Sequence, residues 1–345
     1  MDLESNRLRP PRGLDPPASY RWARVLVPVL PLLAGCSGVQ SALDPASPDA
    51  GRIYLLTIVM TGGGVLIFIG VTVLLLYAIF ARPERRAWLG TRRTVVIGGL
   101  AFPIVTLTAL FPYGLVVLRN TDVPVPGALR IEVVGEQYWW RVRYGADGDA
   151  PEFTTANEIR VPVGRPVSVS VTSADVIHSF WIPNFGGKID MIPGRINHLH
   201  FTAERLGTYR GVCAEYCGAQ HARMAFDMLV VGPEEFAAWR KAQAAPAAAP
   251  GNPFLARGRE LFRQGGCGTC HAIRGTEADG QLGPDLTHVG SRPTLGAGQF
   301  PNNVGTLGGW ISNPQQLKPG VRMPSYGGFQ GEDLRALAGY LESLK

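Results

Sequence analysis

The sequence predicts a multidomain chain: two transmembrane helices, then an all-β Greek-key barrel or sandwich, then a small all-α domain. Three observations lead there. Two long runs, 53–81 and 94–118, contain no charged residue. From 129 to 232 the pattern becomes short strand-like segments separated by Gly, Pro, Asn and Asp. After a Pro/Ala-rich stretch at 242–251, helical spacing returns at both ends of a Gly- and Pro-rich segment that buries too little apolar surface to fold alone.

The 345 residues are 46% hydrophobic and only 17% charged, and the apolar excess sits in the two uncharged runs. A helix needs about 20 apolar residues to cross a bilayer, so each run suffices and a hairpin over 50–120 is expected. Pro103 and Pro112 lie in the second run, where each removes a helical hydrogen bond and favours a kink. Upstream, Arg21 and Arg24 precede the apolar run 25–34, which is too short to span and has the proportions of an export-signal core. It ends at Leu33, Ala34, Gly35 and Cys36, similar to a bacterial lipoprotein cleavage box. Residues 1–35 are therefore expected to be a signal peptide, with Cys36 the lipidated mature N-terminus.

The net charge of +6 follows this topology. Five Arg lie in 1–35, and Arg82, Arg85, Arg86, Arg92 and Arg93 face only Glu84 between the two runs. Elsewhere the charges balance. The basicity thus reports a positive-inside bias, with a bilayer and no nucleic acid as partner. The Arg-rich loop is cytoplasmic, and everything after 118 lies on the outer, periplasmic face of a bacterial inner membrane.

Strands are expected at 129–134, 138–144, 158–163, 166–172, 197–201 and 225–231, in a domain spanning 125–241. Val167, Val169 and Val171 alternate with Ser168, Ser170 and Thr172, a period of two with one face buried. A closing helix is expected over 233–241, a Pro/Ala linker over 242–251, and the last domain over 252–345, where Leu334, Leu337, Leu341 and Leu344 recur at helical spacing.

Two motifs carry chemistry. Cys213, Cys217, His221 and Met224 place two thiols, an imidazole and a thioether within twelve residues. Soft sulfur selects copper, imidazole suits it, and Met is a poor zinc ligand. Two thiolates on one loop are able to bridge two metals, and His178 is the upstream imidazole suited to the second. A disulfide would leave the His and Met spacing unexplained. The other motif, Cys267-x-x-Cys270-His271, signals covalent c-type haem attachment with His271 on the iron. Met323, the one Met after the linker, suits the other axial position, against His288 as competitor. No βαβ pattern supports a thioredoxin-like reading. The porphyrin would supply the core this segment lacks.

The Cys-x3-Cys-x3-His-x2-Met pattern with its upstream His resembles the dinuclear copper (CuA) site of cytochrome c oxidase subunit II. Stretches 135–140, 178–183 and 188–195 look like that family too, over about 36–241, and 258–262 resembles the first helix of small cytochromes c. The resemblance implies a cupredoxin-like barrel followed by a class I cytochrome c domain. It implies that Cys213 and Cys217 bridge two coppers, that His178 and His221 bind one each, and that Met224 and the Glu215 carbonyl are weak ligands. The Glu215 side chain would reach a magnesium shared with subunit I. His288 is implied not to be a haem ligand. The implied activity is electron relay from cytochrome c or another donor, through haem c and the copper pair, to subunit I. There, among the other oxidase subunits, O2 is reduced to water and protons are pumped.

One departure stands out. The family's Gly-His-Gln-Trp-x-Trp is here Gly135, Glu136, Gln137, Tyr138, Trp139 and Trp140, so electrons would enter at Tyr138 or Trp139. Nitrous oxide reductase uses a similar copper motif but needs a second, His-rich cluster, and six His cannot supply one. A copper-dependent nitric oxide reductase subunit differs in its partner chain. A free membrane-tethered carrier or copper-delivery protein is the remaining alternative, and delivery would require an exchangeable site.

Overall fold

The computed structural model describes residues 37–119, 126–148, 150–329 and 331–345. The expected signal peptide and Cys36 lie outside them. Helix α1 (Pro48–Phe80) begins where Ser47 caps Ala50 N at 3.1 Å and Pro48 occupies its first turn. Ser47 Oγ also donates to Phe185 O at 2.7 Å, so the helix is anchored to the β domain where it starts. At about 1.5 Å per residue it is long enough to cross a bilayer with a turn or more to spare. A second apolar helix runs over Arg92–Val117, and neither span is buried by the chain itself. Leu66 and Phe68 are each more than 70% exposed, as side chains facing lipid or a partner would be. Pro103 does what its missing N–H requires: the turn before it, Ile97–Ala101, widens to a π-helix before α2 (Phe102–Arg119) resumes.

The β domain is a two-sheet sandwich. One sheet has the order β3 (Phe153–Ala156), β2 (Trp139–Tyr144), β1 (Leu129–Glu136), β5 (Pro166–Ser173), β8 (Asn197–Thr202). The other runs β4 (Glu158–Pro162), β10 (Ala225–Val231), β9 (Gly207–Cys213), β6 (His178–Trp181), β7 (Ile189–Met191). Among the strand pairs of the described residues, β1–β5 and β4–β10 are parallel and the rest antiparallel, consistent with a cupredoxin-like Greek key. The period-two pattern in β5 is realised: Val167, Val169 and Val171 point inward. They belong to the same buried core as Trp140, Phe180 and Phe226, and each large apolar side chain so buried contributes roughly 1.5–3 kcal/mol. Helix α3 (Pro233–Ala244) closes one end by packing Trp239 edge-on to Tyr144 at 5.3 Å.

That helix runs three residues into the segment expected as linker, and the rest of the linker is not free. Ala247 N donates to Arg274 O at 2.8 Å, and His288 Nε2 lies 3.0 Å from Ala245 O. The helical domain that follows packs α4 (Pro253–Gln264) across α6 (Gly331–Ser343), with α5 (Val304–Ser312) alongside. Leu337, Leu341 and Leu344 are buried as their spacing predicted. The crossing is close at Gly258, where a Cβ would stand 2.0 Å from the backbone oxygen of Ala336. Backbone cannot rotate away as a side chain can. Gly258→Ala is expected to destabilise this domain by about 3 kcal/mol, read as a lowered midpoint in thermal unfolding followed by far-ultraviolet circular dichroism.

The two domains meet along a polar seam. Loop 296–298 is left-handed throughout (φ of 63°, 63° and 76°), with Ala297 fully buried in that conformation, and its three carbonyls all accept from the β domain or from the seam. Gly296 O takes Lys318 Nζ at 2.9 Å, Ala297 O takes Ala225 N at 3.1 Å, and Gly298 O takes Arg210 Nη1 at 3.0 Å. Arg141 Nη2 donates to Gln281 O at 2.7 Å.

Candidate functional site

The loop after β9 folds back so that its sulfurs face the start of β6. Cys213 Sγ and Cys217 Sγ stand 3.8 Å apart, too far for a disulfide and right for two sulfurs sharing metal. His178 Nδ1 lies 3.8 Å from Cys213 Sγ, and His221 Nδ1 lies 3.8 Å from Cys217 Sγ. Met224 Sδ is 3.9 Å from Cys217 Sγ, and Glu215 O is 3.2 Å from Cys213 Sγ. The structure thus brings together all six residues expected around the copper, three of them with donor atoms within 4.8 Å of one another. The Glu215 carboxyl is exposed and lies 3.3 Å from Tyr216 N.

The two thiols of this pocket hold one proton between them. Contact with Cys217, with burial opposing, pulls Cys213 down to about 3, and the hydrogen bond to Cys213, burial and the negative charge there hold the proton on Cys217. A bound metal pair would displace that proton, so the donor set suits soft cations.

Asp175 was not anticipated from the sequence. Its Oδ1 lies 2.9 Å from His178 Nε2, which fixes the ring and leaves Nδ1 facing the sulfurs. Its Oδ2 accepts from Gln137 N at 2.8 Å and from Arg322 Nη2 at 3.1 Å. The available signal was its place three residues before His178. Asp175→Asn should weaken copper binding by about 10- to 100-fold, measured by competition against a chelator of known affinity.

The two aromatic candidates separate. Tyr138 is 8% exposed, its hydroxyl accepts from Ala219 N at 3.1 Å on the copper loop, and a methyl at Gly320 would touch its ring at 3.7 Å. It lies between the copper loop and the helical domain. Trp139 is half-buried beneath the Arg141 guanidinium, 4.8 Å from the ring centre. Trp140 is fully buried core, edge-on to Phe226 at 5.2 Å. Glu136, at the position where the family has His, pairs with Arg141 at 2.7 Å.

In the helical domain Cys267 and Cys270 are unbridged thiols on one turn, and His271 follows them. His271 Nδ1 lies 2.7 Å from Pro284 O, leaving Nε2 for iron, and burial lowers its pKa toward the neutral imidazole that a metal requires. Gly283 lies against this ring, where a Cβ would be 2.5 Å from Cε1. Met323, Tyr326 and Phe329 border the same apolar cluster as Cys267, and these residues fit a porphyrin. Both nitrogens of His288 face backbone carbonyls, Lys345 O at 3.1 Å and Ala245 O at 3.0 Å, so neither is open to iron.

Comparison with known proteins agrees with this division. Residues 146–231 match the cytochrome c oxidase subunit II periplasmic domain, and residues 255–345 match cytochrome c. These domains imply copper and haem c respectively. The chain is 35% identical to cytochrome c oxidase subunit 2 of Alkalihalophilus pseudofirmus, over 91% of this chain and 94% of that one. Identity to the Bacillus subtilis subunit 2 is 30%, over 93% and 96%. The Cereibacter sphaeroides subunit 2 is 34% identical over 59% of this chain and 79% of its own. With two apolar helices ahead of them, the matched domains are those of a membrane-anchored protein with a periplasmic face. Fold, sulfur loop, haem motif and near full-length similarity agree, and the chain belongs to the cytochrome c oxidase subunit II family, in a form that carries a cytochrome c domain.

Proposed function

We propose that this chain is the electron-receiving subunit of a haem–copper oxidase, relaying single electrons from cytochrome c or another external donor to the haem of subunit I. When bound, haem c and a dinuclear copper centre supply one-electron carriage with little rearrangement. Cys213 and Cys217 would bridge two coppers, His178 and His221 would bind one each, and Met224 and the Glu215 carbonyl would complete the site. Cys267 and Cys270 would hold the haem covalently, with His271 and Met323 on its iron. The Glu215 carboxyl would reach a magnesium at the subunit I contact, and both helices would cross the bacterial inner membrane. Cys36 would be lipidated once residues 1–35 are removed.

The observation that carries this reading is the sulfur pair, unbonded at 3.8 Å with an imidazole on each. Asp175 holds one of those imidazoles in orientation, and burial keeps water from both sulfurs. Tyr138, between the copper loop and the helical domain, is the aromatic we place on the path inward, with Trp139 to one side. Oxygen reduction and proton pumping would then belong to subunit I. The test is the native complex: purified with its partners, it should contain haem a-type absorption and consume O2 with reduced cytochrome c. A complex that reduces nitric oxide and leaves O2 untouched would assign the chain to a nitric oxide reductase.

A further inference from the structure

Lys318 is a charged side chain 1% exposed, in a seam between two domains. Its ammonium donates to three backbone carbonyls: Tyr138 O at 2.9 Å, Arg223 O at 2.8 Å and Gly296 O at 2.9 Å. Three donors meet three acceptors, so the group is fully satisfied. Burying an ammonium costs several kcal/mol unless it is so paired. The acceptors are not scattered. Tyr138 is the aromatic under the copper loop, Arg223 directly precedes Met224, and Gly296 opens the left-handed loop of the helical domain. Lys318 itself starts the segment that ends at Met323.

The same segment makes two further contacts across the seam. Arg322, next to Met323, reaches Asp175, the carboxylate that orients His178. Arg223 Nη1 donates back to Leu317 O at 3.2 Å. Segment 317–323 is thus bonded to Arg223, beside Met224 at the end of the copper loop, and to Asp175, which orients His178. Arg322 is mostly exposed and replaceable by solvent, whereas Lys318 is dry, so the latter holds the register.

We propose that Lys318 is a positioning residue for electron transfer within this chain, fixing the segment that carries Met323 against Tyr138 and the copper loop. It touches neither cofactor site. It acts by keeping the two at one separation and orientation, and it rests on the relay proposed above.

The test uses the assembled oxidase with Lys318→Met and Lys318→Gln. Both variants keep their haem c absorption and copper spectra. Pulsed electron-spin measurements of the haem–copper distance give a narrow distribution in the parent, broader in Gln and broadest in Met. The rate of haem-to-copper electron transfer after rapid reduction falls in the same order, by roughly tenfold or more in Met. An unchanged rate in both variants overturns the proposal, whatever happens to the distance. Loss of either cofactor spectrum also overturns it, because Lys318 is then a folding residue. If the parent itself passes no electron from haem to copper, the relay reading fails, and the distance measurement alone still shows whether Lys318 fixes the domains.

Discussion

Cys217→Ser should cost the complex at least about 100-fold in O2 consumption with reduced cytochrome c, because orienting partners of a metal already account for 10- to 100-fold. Cys217 is the residue with most to lose. Its sulfur stands 3.8 Å from Cys213 Sγ, 3.8 Å from His221 Nδ1 and 3.9 Å from Met224 Sδ, so removing it unlinks three donors at once. A serine hydroxyl is a hard, weakly acidic donor and cannot replace a shared thiolate. The haem c spectrum should be unaffected, since His271 and its Pro284 partner lie in the other domain. Metal analysis and the copper spectrum read the loss directly. Full activity with one copper or none would sink the shared-thiolate assignment.

Removing the haem attachment should have the largest structural effect. With Cys267→Ser and Cys270→Ser, segment 265–329 loses the covalent hold on the haem that would fill the space between its turns, and α4, α5 and α6 keep only their shared core. Small domains without a cofactor or cross-link rarely fold. Folded small domains open only about once in 10³ or more, so protease cleavage within this segment should accelerate by about that factor. The β domain should resist the same protease, because its core of Trp140, Tyr144, Phe180 and Phe226 is self-contained. Equal resistance of the helical segment with and without haem would show that its protein core suffices.

How much of this was legible beforehand depended on whether the interacting groups were neighbours in sequence. The sulfur loop and the haem motif were readable because one turn or loop carries most of each donor set. Asp175 was readable in principle, three residues before His178. Strands β3, β6, β7 and β9 were missed for physical reasons. They are short or contain Gly, and β9 keeps Gly211 because the Phe226 ring lies where its Cβ would be, 2.0 Å away. The linker misled through composition. Ala and Pro advertise no side-chain partners, yet Ala245 O and Ala247 N bond to the helical domain through their backbones. Lys318 was invisible for the same reason: its three partners are carbonyls, which every sequence contains.

Those docked linker residues bear on kinetics. A haem swinging on a loose chain would meet the copper site by diffusion, at a rate set by effective concentration. A haem held in place makes that encounter unimolecular under the proposed relay, and salt should not slow it. Capture of an outside carrier remains bimolecular and electrostatically steered, over a range of only about 10 Å at 0.1 M ionic strength. Ionic strength therefore divides the two events: it governs arrival at the complex and leaves passage along the chain alone.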